Sequence, residues 1–185
     1  MRNYNCLKTN IFELNGFSLV PIREQDKFMI MQMRNEQIYH LRQNKLLTAQ
    51  DQNNYFSNVV SKLFVDEQPN QLLFSFLENG IFIGYGGLVH INWVDKNAEI
   101  SFIMKTELEN EYFSKYWSIY LQLIEQVAFE ELNLHKIFVY AFDLRPYLYD
   151  TLEENNFIKE AELKEHSYYN NQFINVVIHS KLNNK

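Results

Sequence analysis

Residues 83–104, IGYGGLVHINWVDKNAEISFIM, contain two apolar runs joined by a short polar segment. The first of these runs, at 81–90, follows another apolar run at 72–77, and Glu78-Asn79-Gly80 separates the two. An Asn-Gly pair between apolar runs is the strongest short-range indication of a β-hairpin. The second run, Asn97–Met104, begins directly after a polar turn. The sequence therefore predicts three consecutive antiparallel strands.

C-terminal to these strands, the apolar residues adopt helical spacing over residues 115–133. One face of this expected helix carries Trp117, Tyr120, Leu121, Ile124, Val127 and Ala128. Lys136–Phe142 is a nearly continuous apolar run, which is typical of a strand covered on both faces. Pro146–Glu154 is predicted as a short helix that begins with proline. Residues 157–169 and 173–181 are predicted to close the fold as a hairpin.

N-terminal to the three strands, the sequence predicts one further strand and two helices. Residues 17–22 alternate apolar and polar side chains until Pro21, which indicates an edge strand. A first helix is expected from about residue 24 to 35. Thr48, with Asp51 three residues later, is typical of the start of a second helix. The resulting order of elements predicts a mixed α/β domain with one crossover connection.

The composition excludes several classes of protein. The chain has 185 residues, 46% of them hydrophobic, which is sufficient for one domain with a substantial core. Its formal net charge of −6 makes nucleic acid an unfavourable partner. The single cysteine, Cys6, excludes an intramolecular disulfide and a cysteine-based metal site. Without an apolar leader or membrane segment in the sequence, we expect a cytoplasmic protein that does not bind membranes.

Taken together, the segments "IGYGGL", "AEISF", "AFEELNLHKI" and "NNFIKEAEL" resemble, in order and spacing, the GNAT superfamily of acyl-CoA-dependent N-acyltransferases. The resemblance is greatest to the branches that acetylate ribosomal-protein alanine and amino sugars, and it covers residues 17–182. It implies a single domain over 1–185. Its expected fold is a mostly antiparallel seven-stranded sheet, flanked by about four helices and with a splayed central strand pair.

The resemblance implies an N-acetyltransferase that uses acetyl-CoA, without a metal, to acetylate a primary amine. We expect a small-molecule acceptor, with a nucleotide-linked amino sugar as one candidate. Two alternatives remain open: a protein N-terminal acetyltransferase, and a GNAT-fold binding module that lacks catalysis. A homodimer is a further expectation.

For the donor site, the resemblance implies that pantetheine pairs with strand residues Phe102, Ile103 and Met104. The family's glycine-rich diphosphate loop aligns with the following residues: Tyr112, Phe113, Ser114, Lys115, Tyr116 and Trp117. Lys115 and Trp117 replace both glycines, so Lys115 is expected to supply a charge to the diphosphate at the start of the helix. Arg145 stands where family members commonly have an asparagine before the last helix.

For catalysis, the resemblance implies that Glu99 removes the proton from the amine, since some family members have a glutamate on this strand. Tyr149, near the start of the last helix, is expected to protonate the leaving thiolate. Three further residues are candidates for acceptor binding. Arg34 and Arg42 lie between the first two helices and could bind an anionic group, and His90 ends a strand on the acceptor side.

Overall fold

A sheet of eight strands forms the centre of the computed structural model, which describes residues 2–184. The strands are β1 (Phe12–Leu14), β2 (Phe17–Pro21), β3 (Leu72–Glu78), β4 (Ile81–Asn92), β5 (Asn97–Met104), β6 (Lys136–Phe142), β7 (Ile158–Tyr169) and β8 (Gln172–Leu182). Their spatial order is β1-β2-β3-β4-β5-β6-β8-β7. Neighbouring strands are antiparallel except for β5 and β6, which are parallel. The predicted α/β class and the mostly antiparallel sheet are confirmed.

The strand missing from the sequence prediction is β1. It forms a hairpin with β2 through Asn15-Gly16, both with positive φ (49° and 84°), as the tightest hairpin turns require. The prediction that residues 17–22 form an edge strand is therefore wrong, because β2 lies between β1 and β3. Pro21 is tolerated because β1 pairs only with Phe17–Leu19, so Pro21 has no strand partner on the β1 side that would need its missing N–H.

The helices surround this sheet. They are α1 (Lys27–Glu36), α2 (Ala49–Tyr55), α3 (Ser61–Leu63), α4 (Thr106–Glu125) and α5 (Pro146–Glu154). A π-helical turn, Phe56–Val60, connects α2 to α3 without interruption, so four helical segments result, as predicted. The predicted cap is present, since Thr48 Oγ1 accepts a hydrogen bond from the Asp51 amide. None of the helices within residues 2–184 has the length and apolar character needed to cross a membrane.

The start of α4 differs from the prediction by more than two turns. The helix begins at Thr106 and not at residue 115, so only Lys105 separates it from β5. Glu107 and Glu109 in its first turn interact favourably with the positive end of the helix dipole, which helps the early start. The helix continues through a π-helical turn, Gln126–Glu131, and stops before Asn133, which adopts a positive φ of 50°.

Glycines allow β4 to lie very close to both of its neighbouring strands. A Cβ atom on Gly86 would lie 2.1 Å from the Ser101 carbonyl oxygen of β5. On Gly87 it would lie 1.8 Å from the Leu72 carbonyl oxygen of β3. Neither position can accept a side chain unless the backbone moves.

The sheet opens between β5 and β6. The two strands pair only at Asn97–Lys136, Ala98–Ile137 and Glu99–Phe138. Beyond these pairs β5 continues along β4 to Met104, while β6 continues along β8 to Phe142. The strands therefore diverge as predicted, and a gap opens in the middle of the sheet.

Candidate active site

The gap between β5 and β6 contains a cavity of about 540 Å³. Residues 99–102 of β5 and 139–142 of β6 form its two sides. Arg34 in the last turn of α1, His40 and Arg42 in the segment that connects α1 to α2, and His90 near the end of β4 also line it. Its remaining lining residues include Trp117 of α4 and Arg145 and Leu148 at the start of α5.

Glu99 is the one carboxylate on the cavity wall within residues 2–184. Its side chain is only 8% exposed, and its Oε1 accepts a hydrogen bond from Arg42 Nη2. The Arg42 guanidinium also lies over the ring of Tyr140, 4.7 Å from the ring centroid. Burial raises the pKa of Glu99, although the charges of Arg42 and His90 oppose this shift. The carboxylate is therefore buried and held in place, with a pKa closer to neutrality than that of an exposed glutamate.

His90 lies beside Glu99 because the end of β4 is irregular. The register of the β4–β5 pair shifts between Val89 and Asn92, and His90 itself has a positive φ of 51°. Its Nε2 lies 3.9 Å from Glu99 Oε2, while its side chain is largely exposed. The imidazole thus lies between a buried carboxylate and solvent.

Arg34 lies on the cavity wall with hydrogen-bond partners that carry no charge. Its Nη1 donates to the Tyr85 hydroxyl at 2.7 Å, and its Nε donates to Gln43 Oε1 at 3.0 Å. Arg42, by contrast, is paired with Glu99. Both arginines were predicted to bind the acceptor. The partners of Arg34 are neutral, so its charge can act on a bound ligand. Arg42 instead keeps the Glu99 carboxylate in place.

His40 adds no positive charge to the cavity. Burial, together with the nearby charge of Arg145, lowers its pKa to about 3, so the imidazole is neutral. Gln37 fixes its tautomer: because Gln37 Nε2 donates to the Met104 carbonyl, Gln37 Oε1 must accept from His40 Nε2, 3.2 Å away. Arginine side chains therefore supply the fixed positive charge of the wall.

The edge of β5 that is open to a ligand is shorter than predicted. Phe102 lies on the cavity wall, but Ile103 and Met104 do not. The Met104 carbonyl already accepts the hydrogen bond from Gln37. Residues 100–102 of β5 have no strand partner on the β6 side, so their backbone groups can pair with an extended ligand.

The predicted diphosphate site at residues 112–117 is not formed. All six residues lie inside α4, where the backbone amides are hydrogen-bonded within the helix. Phe113, Tyr116 and Trp117 are buried. Lys115 does not line the cavity; its Nζ lies 3.6 Å from Glu78 Oε1 of β3 and over the ring of Phe17 of β2. The early start of α4 is the reason, since it places the helix N-terminus at Thr106.

Arg145 does lie at the cavity, as the N-cap residue of α5. Arg145 is only 8% exposed. Its Nη1 lies 3.7 Å from Glu109 Oε1, so the two side chains form an ion pair that is too long for a hydrogen bond. The guanidinium also lies over the ring of Phe113, which in turn packs edge-on against Tyr147. Arg145, at the start of α5, therefore contacts the first turns of α4. The resemblance leads us to expect the diphosphate of the donor near this helix.

Tyr149 does not face the cavity, which contradicts the predicted role in protonating the thiolate. Its hydroxyl donates to Asp143 Oδ1 at 3.0 Å, and its ring stacks on His179 of β8. Leu152, three residues further along α5, is fully buried. Burial and the Asp143 carboxylate raise the pKa of Tyr149.

Three residues of the site were not assigned from the sequence: Gln37, Tyr140 and Glu109. Tyr140 packs on Arg42 from a distant strand, a contact that no local pattern indicates. Gln37, by contrast, lies only three residues before its partner His40. Glu109 was not recognised as a site residue because residues 106–114 were not predicted to be helical. Among the described residues, no cluster of metal-ligating side chains is present.

Comparisons with known proteins agree with this geometry. The family model for the acetyltransferase (GNAT) domain matches residues 19–178. A structure of spermidine N-acetyltransferase from Vibrio cholerae, in complex with CoA and spermine, is similar with a TM-score of 0.79 and 19% identity. The similarity covers 93% of this chain and 98% of that chain.

Two further structures from Vibrio cholerae are similar to the same degree. Mutant forms of the spermidine/spermine N-acetyltransferase match with a TM-score of 0.76 and 20% identity, over 92% of this chain and 95% of that one. A dodecameric spermidine N-acetyltransferase matches with a TM-score of 0.73 and 19% identity over the same shares. At this identity the likeness is one of fold, while the family match spans most of the sequence: the chain belongs to the GNAT acetyltransferase family.

Proposed function

We propose that the protein transfers the acetyl group of acetyl-CoA to the amine of a small molecule that also carries a phosphate or carboxylate. The observation that supports this is the charge arrangement of the cavity. One buried carboxylate, Glu99, can accept a proton, and one arginine, Arg34, faces the same cavity with neutral partners. A nucleotide-linked amino sugar is one acceptor of this kind.

Glu99 is the proposed base. An amine must lose a proton to become a nucleophile, and a base is most effective when its pKa approaches the working pH. Burial moves the pKa of Glu99 in that direction, and Arg42 keeps the carboxylate in one orientation. When bound, acetyl-CoA supplies the thioester that the amine attacks. Glu99 takes the proton from the amine at one of its carboxylate oxygens.

His90 offers the proton a path to solvent. Its Nε2 lies 3.9 Å from Glu99 Oε2, beyond direct hydrogen bonding but within reach of one bridging water. The largely exposed imidazole has one ring nitrogen near Glu99 and contact with bulk water, so it can relay a proton between the two. Glu99 would then return to its charged form before the next turnover.

Arg34 is proposed to bind the anionic group of the acceptor. Its guanidinium has donors beyond those used by Tyr85 and Gln43, and its planar geometry suits phosphate and carboxylate. The similar structures belong to proteins named for spermidine and spermine, which are polycations. A polycation would require several carboxylates, and within the described part of the chain this wall has only Glu99.

The test is an assay of CoA release with four groups of acceptors: nucleotide amino sugars, amino acids, polyamines and N-terminal peptides. We expect turnover with an anionic amine. Arg34→Gln should raise the KM of that acceptor and change kcat little, since Arg34 acts in binding. Lys45→Gln, which removes an exposed charge from the segment that follows α1, is the matched control. A preference for polyamines that Arg34→Gln leaves unchanged would contradict the proposed acceptor.

A further inference from the structure

Arg145 is a buried cation whose charge is poorly satisfied. Its side chain is 10% exposed, and the carboxylate within 4 Å of it in the described chain is Glu109, at 3.7 Å. A buried guanidinium is best satisfied by an acceptor that binds two of its N–H groups at about 2.8 Å. Glu109 does not reach this distance. The site is therefore built for an anion, and Glu109 fills it incompletely.

Glu109 is itself in an unfavourable position. Its side chain is 15% exposed, and burial raises its pKa although the charge of Arg145 opposes the shift. Each partner is thus removed from water without the close hydrogen bonds that would compensate for this. An anion that bound Arg145 closely would release Glu109 to solvent at the surface of α4.

The donor carries a suitable anion, and the structure leaves it few other partners. The backbone amides of residues 112–117 lie inside α4 and are already bonded. At the N-terminus of α4, the first turn carries Glu107 and Glu109, and the Thr106 hydroxyl donates to Glu36. Arg145 lines the same cavity as residues 99–102 of β5 and Trp117 of α4, and it contacts Glu109 in the first turn of α4.

We propose that Arg145 binds the diphosphate of the donor and that Glu109 occupies Arg145 in the free protein, so that donor binding replaces one ion pair with another. Glu109, in the first turn of α4, then competes with the diphosphate for Arg145 and thereby lowers the affinity for CoA. This inference rests on the proposed function, because it assumes that CoA binds in the β5–β6 cavity.

The test is calorimetric titration of the full chain with CoA and with pantetheine, which lacks the diphosphate. Glu109→Gln keeps the shape of the side chain and removes its charge, so it should tighten CoA binding on the order of three- to tenfold. Pantetheine binding should not change. Arg145→Gln should weaken CoA binding, and adding Glu109→Gln to it should have no further effect, because the two residues act through one contact.

Glu107→Gln is the matched control, since Glu107 is an exposed carboxylate in the same helical turn. If Glu107→Gln tightens CoA binding as much as Glu109→Gln, or if Glu109→Gln has no effect while the wild type binds CoA, the inference is wrong. If neither the wild type nor Glu109→Gln binds CoA, the proposed function fails with it. Circular dichroism of each variant shows whether the fold is retained.

Discussion

The carboxylate of Glu99 accepts a hydrogen bond from the guanidinium of Arg42, although the two residues are 57 positions apart in the sequence. Glu99 lies on β5, where the sheet opens, and Arg42 lies on the segment between α1 and α2 that lines the cavity. The contact joins the proposed base to this segment. In the proposed mechanism, one ion pair therefore links acid–base chemistry to acceptor binding.

Glu99→Gln should lower kcat strongly. The amide can still accept a hydrogen bond from Arg42, but it cannot take a proton from the amine. The loss of a general base typically lowers the rate by about 10²–10⁴-fold. The measurement is kcat at neutral pH once an acceptor is known, with thermal unfolding as a check on the fold. A loss below about threefold would remove Glu99 from the mechanism.

The pH dependence of the rate should report the environment of Glu99. Burial raises the pKa of Glu99, so kcat/KM should fall as the pH decreases through that raised pKa, where the carboxylate becomes protonated. Arg42 lowers this pKa, so Arg42→Gln should move the acidic limb of the profile to higher pH. Lys45→Gln changes the charge on the same segment by the same amount and should leave the limb in place. A shift to lower pH in Arg42→Gln would contradict the assignment.

Tyr149→Phe should leave the rate within about threefold of the wild type. The hydroxyl that it removes is bonded to Asp143 and lies outside the cavity. The expected effect is a lower free energy of unfolding, by about 0.5–1.5 kcal/mol, from the lost hydrogen bond. Chemical denaturation and kcat are the two measurements. A hundredfold loss of kcat with unchanged CoA affinity would instead show that Tyr149 protonates the leaving thiolate.

Gly86→Ala should destabilise the fold more than Gly80→Ala. A Cβ on Gly86 would lie 2.1 Å from the Ser101 carbonyl oxygen, so β4 and β5 must separate, at a cost of roughly 3 kcal/mol or more. Gly80 has a positive φ of 79° but open space around it, so the alanine there costs roughly 1–2 kcal/mol. Urea unfolding of both variants makes the comparison. Equal destabilisation would show that the close approach of the strands is unimportant.

Much of the fold could be predicted because its signals are local. The Asn79-Gly80 turn, the Thr48 cap and the helix at Pro146–Glu154 each follow from a few neighbouring residues, and the structure has all three. The Asn15-Gly16 turn carried the same signal as Asn79-Gly80, but its first strand, Phe12–Leu14, is too short to show an alternating pattern. For this reason seven strands were predicted and eight are present.

The candidate site was less predictable, because its contacts join distant segments. Glu99, Arg42 and His90 were each proposed from their places in the resemblance, and the structure brings them together. The start of α4 was placed too late, because residues 105–111 are mostly polar or charged. Tyr112 and Leu108 do continue the helical spacing towards the N-terminus, four and eight residues before Tyr116, and this extension was not recognised. Together with the alignment of the family's glycine-rich loop to residues 112–117, this error placed the predicted diphosphate site at Lys115. It also left the contact between Glu109 and Arg145 unrecognised.

Both proposals require that acetyl-CoA binds in the β5–β6 cavity, and calorimetric titration of the wild-type protein with acetyl-CoA measures this binding. We expect saturable binding of one acetyl-CoA per chain, with an unchanged affinity in Glu99→Gln, because Glu99 is proposed to act on the acceptor amine. The absence of both binding heat and thermal stabilisation at millimolar acetyl-CoA would contradict both proposals.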